Sequence, residues 1–295
     1  MNNATQHTVD IPPFLKEFPE VSTSGASSNQ DDTTAVVTGP ATREPSNSHY
    51  TLAEMLESPD ATSPWNGDRV VYKYRNIIRD VIEELPEFVK SHSGHCLTPN
   101  DICIVNDRAK INVSIPNPSN TENLPTYRSQ FRSLVTRILG TDNSTRVELK
   151  HFYHKVDKTG VALDDLWHHP LLMSSNERFY FPIDAILELQ SKKGDAWRYE
   201  YNNGKTINIK AAIEKSNCDD FKSFHANSIK NTIYEDNALG VLNYSRNISI
   251  HIWEEQNTLT KAEVEEGLTS LFPERLTYLY DFLLYNIGMR FLRKR

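Results

Sequence analysis

Apolar residues recur at helical spacing through much of the chain, and this pattern constrains the fold more than any other feature. The clearest examples are three sets: Tyr74, Ile77, Ile78, Val81, Leu85 and Phe88; Tyr127, Phe131, Leu134, Val135 and Ile138; and Leu276, Leu279, Tyr280, Leu283 and Ile287. Residues three and four positions apart lie on one face of an α-helix, so each set predicts an amphipathic helix. The sequence therefore predicts a mainly α fold.

Local signals predict where some helices begin and where the helical pattern is interrupted. Thr51 to Glu54 and Ser174 to Glu177 have the form of a capping box, which marks a helix N-terminus. Asn106-Asp107 separates two short apolar segments, and Asn203-Gly204 separates the aromatic segment 197–201 from the next one. Both turn signals predict small β-hairpins.

The first fifty residues have a different composition from the rest of the chain. From Ser22 to Ser48 they consist almost wholly of Ser, Thr, Asn, Asp, Gly and Pro, with scattered apolar residues. Such a segment buries too little surface to offset its chain entropy, so we predict that 1–50 is disordered. There is no secretory signal pattern and no apolar run of the ~20 residues that a membrane span needs. We expect a soluble, cytoplasmic protein without a membrane span.

Cysteine content and charge exclude several classes of protein. Cys96, Cys103 and Cys218 are too few and too scattered for a disulfide framework or a zinc site, and we expect neither a metal nor a cofactor. A net charge of −7 argues against broad, non-specific nucleic-acid binding but allows a local basic site. The basic tail 290–295 is one such patch, although cations at a helix C-terminus also complement the macrodipole.

The segments 97–104 and 163–172, the second containing His169-Pro170, resemble parts of the C-terminal lobe of a protein kinase. Kinase chemistry needs a catalytic Asp, a phosphate-binding Lys, a metal-binding Asn and a second metal-binding Asp. The positions that match them hold Cys96, Thr98, Asp101 and Val113. Neither a Gly-rich phosphate loop nor a Val-Ala-Ile-Lys strand occurs upstream. The resemblance therefore implies an inactive, truncated pseudokinase lobe that serves as a scaffold.

The remainder resembles the KEN module of the kinase/ribonuclease family that includes the unfolded-protein-response sensor and ribonuclease L. The resemblance rests on the junction 174–179, on Arg246-Asn247-x-x-x-His251, and on Phe272-Pro273 followed by Tyr280. In that family a kinase fold continues directly into a helical ribonuclease module. The domains implied are a disordered segment at 1–50, a kinase C-lobe-like helical domain with small β-hairpins at 51–172, and a KEN ribonuclease-like domain at 173–295.

The residues of the KEN-like stretch suit RNA cleavage by the RNA's own 2′-hydroxyl, which leaves a 2′,3′-cyclic phosphate. His251 is the candidate general acid, because imidazole changes charge near neutral pH. Arg246 can hold two phosphate oxygens in a fork, and Asn247 can orient the phosphate or the neighbouring backbone. By the family's pattern, Tyr234 orients the 2′-hydroxyl or acts as base.

Each of these assignments has an alternative. Arg and His near a helix end often serve as a C-terminal cap, and Tyr234 can equally be a core tyrosine. The family usually has an acidic residue where this chain has Gly240. A glycine there costs the helix roughly 0.5–1 kcal/mol relative to alanine and removes a charge partner of the basic residues.

Two functional hypotheses follow, from different classes of protein. In the first, the chain is a metal-independent endoribonuclease that acts on RNA as a homodimer, or as a heterodimer with a related kinase/ribonuclease. In the second, both activities are lost and the chain is a scaffold that regulates a full-length relative by dimerisation. An unrelated helical interaction domain is a third possibility. Retention of Arg246, Asn247 and His251 together favours the first.

Overall fold

The computed structural model describes residues 49–92, 95–112, 126–141, 145–202, 206–230, 232–255 and 259–294. The segment that we predict to be disordered lies outside them, apart from its last two residues. Val113 and the predicted Asn203-Gly204 turn also lie outside. All described residues belong to one compact unit, 43–295.

The described part of the chain is mainly helical, as predicted. Its α-helices are α1 Leu52–Glu57, α2 Tyr72–Ser91, α3 Tyr127–Leu139, α4 Val147–Asp157, α5 Ser175–Lys193, α6 Trp197–Tyr201, α7 Ile209–Glu214, α8 Asp219–Ser228, α9 Ala238–His251, α10 Lys261–Leu271 and α11 Arg275–Asn286. Its strands are β1 Tyr50–Thr51, β2 Trp65–Asn66, β3 Arg69–Val70, β4 Ile102–Val105 and β5 Arg108–Ile111. Short 3-10 helices occupy Pro99–Asp101, Leu163–His168, Pro170–Leu172, Ile252–Glu255 and Arg290–Lys294.

The β-hairpin predicted at Asn106-Asp107 is confirmed. Strands β4 and β5 pair antiparallel, with Ile102 opposite Ile111, and β1 pairs with the other edge of β4. Asn106 and Asp107 have φ angles of 50° and 59°. Two successive residues with positive φ form the kind of turn whose twist matches that of antiparallel strands, and Asn and Asp tolerate this conformation. Strands β2 and β3 form a separate two-stranded ribbon.

Both predicted capping boxes are also confirmed. The Thr51 hydroxyl accepts the backbone N–H of Glu54, and the Glu54 carboxylate accepts the N–H of Thr51 in return, at 2.7 Å. Ser174 and Glu177 make the same reciprocal pair at the start of α5, where the carboxylate accepts the Ser174 N–H at 2.6 Å. These bonds satisfy backbone donors that have no partner inside the helix.

The second predicted hairpin is wrong in its first strand, because Trp197–Tyr201 is helix α6. In a strand, residues 197, 199 and 201 would point to the same side. Instead Trp197 and Tyr201 are buried, one helical turn apart, while Tyr199 is 87% exposed. The predicted second strand is also absent from its described part, since 206–208 are irregular and Ile209 begins α7. Two large aromatic side chains, both buried on one helical face, outweigh the local turn signal.

The hydrophobic core consists of separate clusters, which divide between residues 172 and 173. One cluster of buried side chains extends from Leu52 to Leu172, whereas two others lie between Met173 and Met289. The sequence places a domain boundary at the same point, and that boundary stays a prediction.

Buried charges connect the elements on either side of this change. The Arg178 guanidinium of α5 donates to Glu148 of α4 at 2.6 and 2.8 Å and to Glu265 of α10 at 2.8 Å. Arg69 of β3 and Arg275 of α11 reach the same Glu265 at 2.6 and 3.1 Å. We call these five residues the buried ion network. It links α5 and α10, which both contact α9, to β3, α4 and α11.

Candidate functional site

The candidate site is built on α9 and on the segment that precedes it. Helix α9 begins at Asn237, whose side chain accepts the backbone N–H of Gly240 at 2.9 Å. Tyr244 and Ile248 are buried in one of the hydrophobic clusters, which fixes the rotation of the helix. Arg246 and His251 therefore lie at the edge of the core and are half-buried.

Three of the four predicted site residues are joined by hydrogen bonds. Arg246 Nη1 donates to Asn247 Oδ1 at 2.9 Å, and Asn247 Nδ2 donates to the Tyr234 hydroxyl at 3.2 Å. Asn247 is only 7% exposed, so it holds the guanidinium and the phenol in fixed positions. Because the Tyr234 hydroxyl acts as the acceptor in this bond, its own proton can be donated elsewhere.

His251, the fourth predicted residue, is the last residue of α9. It follows Asn247 by four positions, about one helical turn, so both lie on the same side of the helix. The phenol, amide and guanidinium are thus joined by hydrogen bonds, and the imidazole lies one helical turn beyond Asn247.

The surroundings of Arg246 suit an anion. Burial, followed by the nearby positive charge of Arg198, lowers the pKa of Arg246, and Tyr234 partly opposes this effect. Arg198 lies on α6 and pairs with Asp195 at 3.2 Å. Two guanidiniums that repel each other favour a negatively charged group between or beside them.

His225 on α8 is a neighbour of the site that the sequence did not indicate. Its ring stacks on Tyr234 with centroids 6.2 Å apart, and it also contacts Tyr244 at 6.0 Å. Burial, together with the charge of Lys210, lowers the pKa of His225, so its imidazole is neutral at neutral pH. Neither His225 nor Arg198 lies in a recognisable motif, and Arg198 was assigned to a strand. No signal in the sequence would have found them.

The structure explains why position 240 is a glycine, which the sequence did not reveal. A Cβ atom at this position would lie 2.8 Å from the Glu235 carbonyl carbon, closer still to its oxygen, and 2.9 Å from Ile209 Cδ1. The backbone at Glu235 thus packs directly on α9, immediately after Tyr234. The glycine is needed for this close approach, so an acidic residue would not fit here without a shift of the backbone.

Among the residues that the structure describes, no three His, Cys, Asp or Glu side chains are grouped so as to hold a metal ion. Within the same residues, no helix is both long and apolar enough to cross a membrane. No protein-family model and no curated protein matches the chain.

Proposed function

We propose that the protein is a metal-independent endoribonuclease that cleaves RNA through a 2′,3′-cyclic phosphate. The observation that carries this proposal is the hydrogen-bonded chain Tyr234–Asn247–Arg246, with His251 one helical turn beyond it. A phenol, an amide, a guanidinium and an imidazole are the types of group that this reaction uses without a metal.

The reaction assigns a separate task to each side chain. The 2′-oxygen attacks the adjacent phosphorus, and the bond from phosphorus to the 5′-oxygen breaks. Tyr234 orients the 2′-hydroxyl or takes its proton, and His251 gives a proton to the departing 5′-oxygen. Arg246 binds the phosphate oxygens, on which negative charge increases in the transition state. Asn247 bonds to both Tyr234 and Arg246 and so fixes their relative positions.

The part of the chain before α5 has a scaffold role in this proposal. At the positions that resemble kinase phosphate and metal ligands, Thr98 and Asp101 bond to each other, since the Asp101 carboxylate accepts both the N–H and the hydroxyl of Thr98 at 2.7 Å. His95 is 3.2 Å from the same carboxylate. These groups are engaged in a local cap. We infer that this part supports the ribonuclease-like part and pairs with a second copy or with a related kinase/ribonuclease.

The test is RNA cleavage by the purified chain in EDTA. A structured RNA should yield fragments that end in a 2′,3′-cyclic phosphate and begin with a 5′-hydroxyl. His251→Ala and Arg246→Met should each lower the rate on the order of 10²-fold or more, the usual effect of removing a positioned acid or a transition-state donor. Asn247→Ala should cost less if it only orients its neighbours.

Matched variants separate chemistry from stability. His154→Ala and Arg137→Met remove exposed residues of the same types, on α4 and α3, and should leave cleavage unchanged. Cleavage that requires Mg²⁺, leaves a 5′-phosphate or survives in His251→Ala would overturn the proposal. A protein that cleaves no RNA but forms a mixed dimer with a related kinase/ribonuclease would support the scaffold hypothesis in its place.

A further inference from the structure

A cavity of about 360 Å³ lies beside α9, around the helix from the candidate site. Val241, Leu242 and Ser245 of α9 form one wall, and Leu276 and Leu279 of α11 form another. Ile207 and its exposed neighbour Thr206 lie at its edge. The walls are largely apolar, and the volume is within the range of sites that bind small organic molecules.

Two buried polar groups in the cavity wall have no hydrogen-bond partner. They are the hydroxyl of Ser245 and Nε of Arg275. As residues, Ser245 is 1% exposed and Arg275 is 9% exposed. Within the described residues neither group meets an acceptor. Leaving a buried donor unpaired costs about 1–3 kcal/mol, and more when the group is charged. Both groups can donate, so an occupant of the cavity would stabilise them if it brought an acceptor.

The charge around Arg275 indicates that this acceptor is negative. Arg275 belongs to the buried ion network. Among the described residues, the three guanidiniums of this network, at residues 69, 178 and 275, form ion pairs with two carboxylates, those of Glu148 and Glu265. Burial, together with the charges of the other two arginines, lowers the pKa of Arg275 to about 10. The exposed Glu266 acts on Arg69 instead. The network therefore has one positive charge in excess, next to an apolar cavity.

We propose that this cavity binds an amphipathic monocarboxylate, with its apolar body against α9 and α11 and its carboxylate at Arg275 and Ser245. A single negative charge matches the excess of one in the network, and Glu274, which also lines the cavity, disfavours a second negative group there. The inference goes beyond the proposed ribonuclease activity and does not depend on it.

The test uses the full chain and three probes of the same length: decanoate, 1-decanol and decylammonium. Isothermal titration should show one saturable decanoate site per chain, with 1-decanol about tenfold weaker or more, since a hydrogen bond to a charged group is worth about 1.5–3 kcal/mol. Decylammonium should not bind at this site. Varying the ligand tests the charge without disturbing the buried network.

Two variants test the location. Thr206→Trp places a bulky side chain at the exposed edge of the cavity and should abolish binding without altering the core. Ser245→Ala should weaken decanoate about tenfold. Ser249→Ala is its matched control, because Ser249 is buried on the same helix and also lacks a partner for its hydroxyl among the described residues, yet does not line the cavity.

Several results would overturn the proposal. They are equal affinity for decanoate and 1-decanol, binding that does not saturate, or unchanged decanoate affinity in Thr206→Trp. An unchanged affinity in Ser245→Ala, or an equal loss in Ser249→Ala, would overturn the part assigned to the Ser245 hydroxyl.

Discussion

Replacing Arg178 with methionine should strongly destabilise the protein, and the structure gives the reason. The guanidinium is 1% exposed and makes four short bonds: two to Glu148, one to Glu265 and one to the Pro170 carbonyl at 2.7 Å. Burial alone would lower the pKa of Arg178, but the two carboxylates outweigh this effect and raise it. The residue is therefore charged whenever the protein is folded.

The expected loss follows from what the two carboxylates retain. In Arg178→Met, Glu265 still has Arg69 at 2.6 Å and Arg275 at 3.1 Å. Among the described residues, Glu148 keeps only Arg69, at 3.6 Å, and becomes a poorly compensated buried charge. Removing one partner of a buried ion pair typically costs 3–5 kcal/mol, so we expect a loss of about that size in the free energy of unfolding.

Urea unfolding measures this loss, as a lower midpoint at an unchanged m-value. The double variant Arg178→Met/Glu148→Gln should recover about 1–3 kcal/mol relative to the single variant, because it removes the orphaned charge. Lys192→Met is the matched control. It removes an exposed cation from the same helix, where the pair with Glu188 at 2.9 Å should contribute at most about 0.5 kcal/mol. A loss below about 1 kcal/mol in Arg178→Met, or no recovery in the double variant, would refute this reasoning about buried charge.

Three further predictions concern the core and the site. Gly240→Ala should cost about 1–3 kcal/mol in urea unfolding through overpacking against Glu235, whereas Gly160→Ala, where a Cβ meets nothing within 4 Å, should cost little. Burial, then the charge of His151, lowers the pKa of His169 well below 6.5, so the unfolded chain binds a proton that the folded protein does not. The free energy of unfolding should therefore fall by up to about 1.4 kcal/mol per pH unit as the pH drops below 6.5. In His169→Asn this dependence on pH should be weaker, and an unchanged dependence would contradict the assignment to His169. Tyr234→Phe keeps the ring contacts but removes the hydroxyl that accepts the N–H of the buried Asn247. It should lower RNA cleavage and also cost about 1–3 kcal/mol in urea unfolding, because a buried donor loses its acceptor.

Local signals predicted the parts of the fold that depend on neighbouring residues. The capping boxes at Thr51 and Ser174 and the turn at Asn106-Asp107 are satisfied within three or four residues, so the sequence alone is enough to find them. Trp197–Tyr201 was misassigned because its conformation depends on burial against α9 and α11, which are distant in sequence. The buried ion network could not be predicted for the same reason, since its charges come from five separate elements.

The candidate site was predictable to the extent that it lies on one helix. Arg246, Asn247 and His251 are placed together by helical spacing, and Tyr234 is close in sequence. His225 and Arg198 reach the site only through tertiary packing, and the misassignment of α6 concealed Arg198 in particular.

The structure at Gly240 and Arg198 changes how the charge of the site is understood. The sequence treats Gly240 as the loss of a carboxylate that would partner the basic residues. The structure instead shows that the position admits no side chain, and that a second cation, Arg198, is near Arg246. Among the described residues, Arg246 bonds to the neutral Asn247, and the groups that shift its pKa include no carboxylate. A phosphate that binds there does not have to displace an acidic side chain, so the departure at Gly240 is compatible with an RNA site.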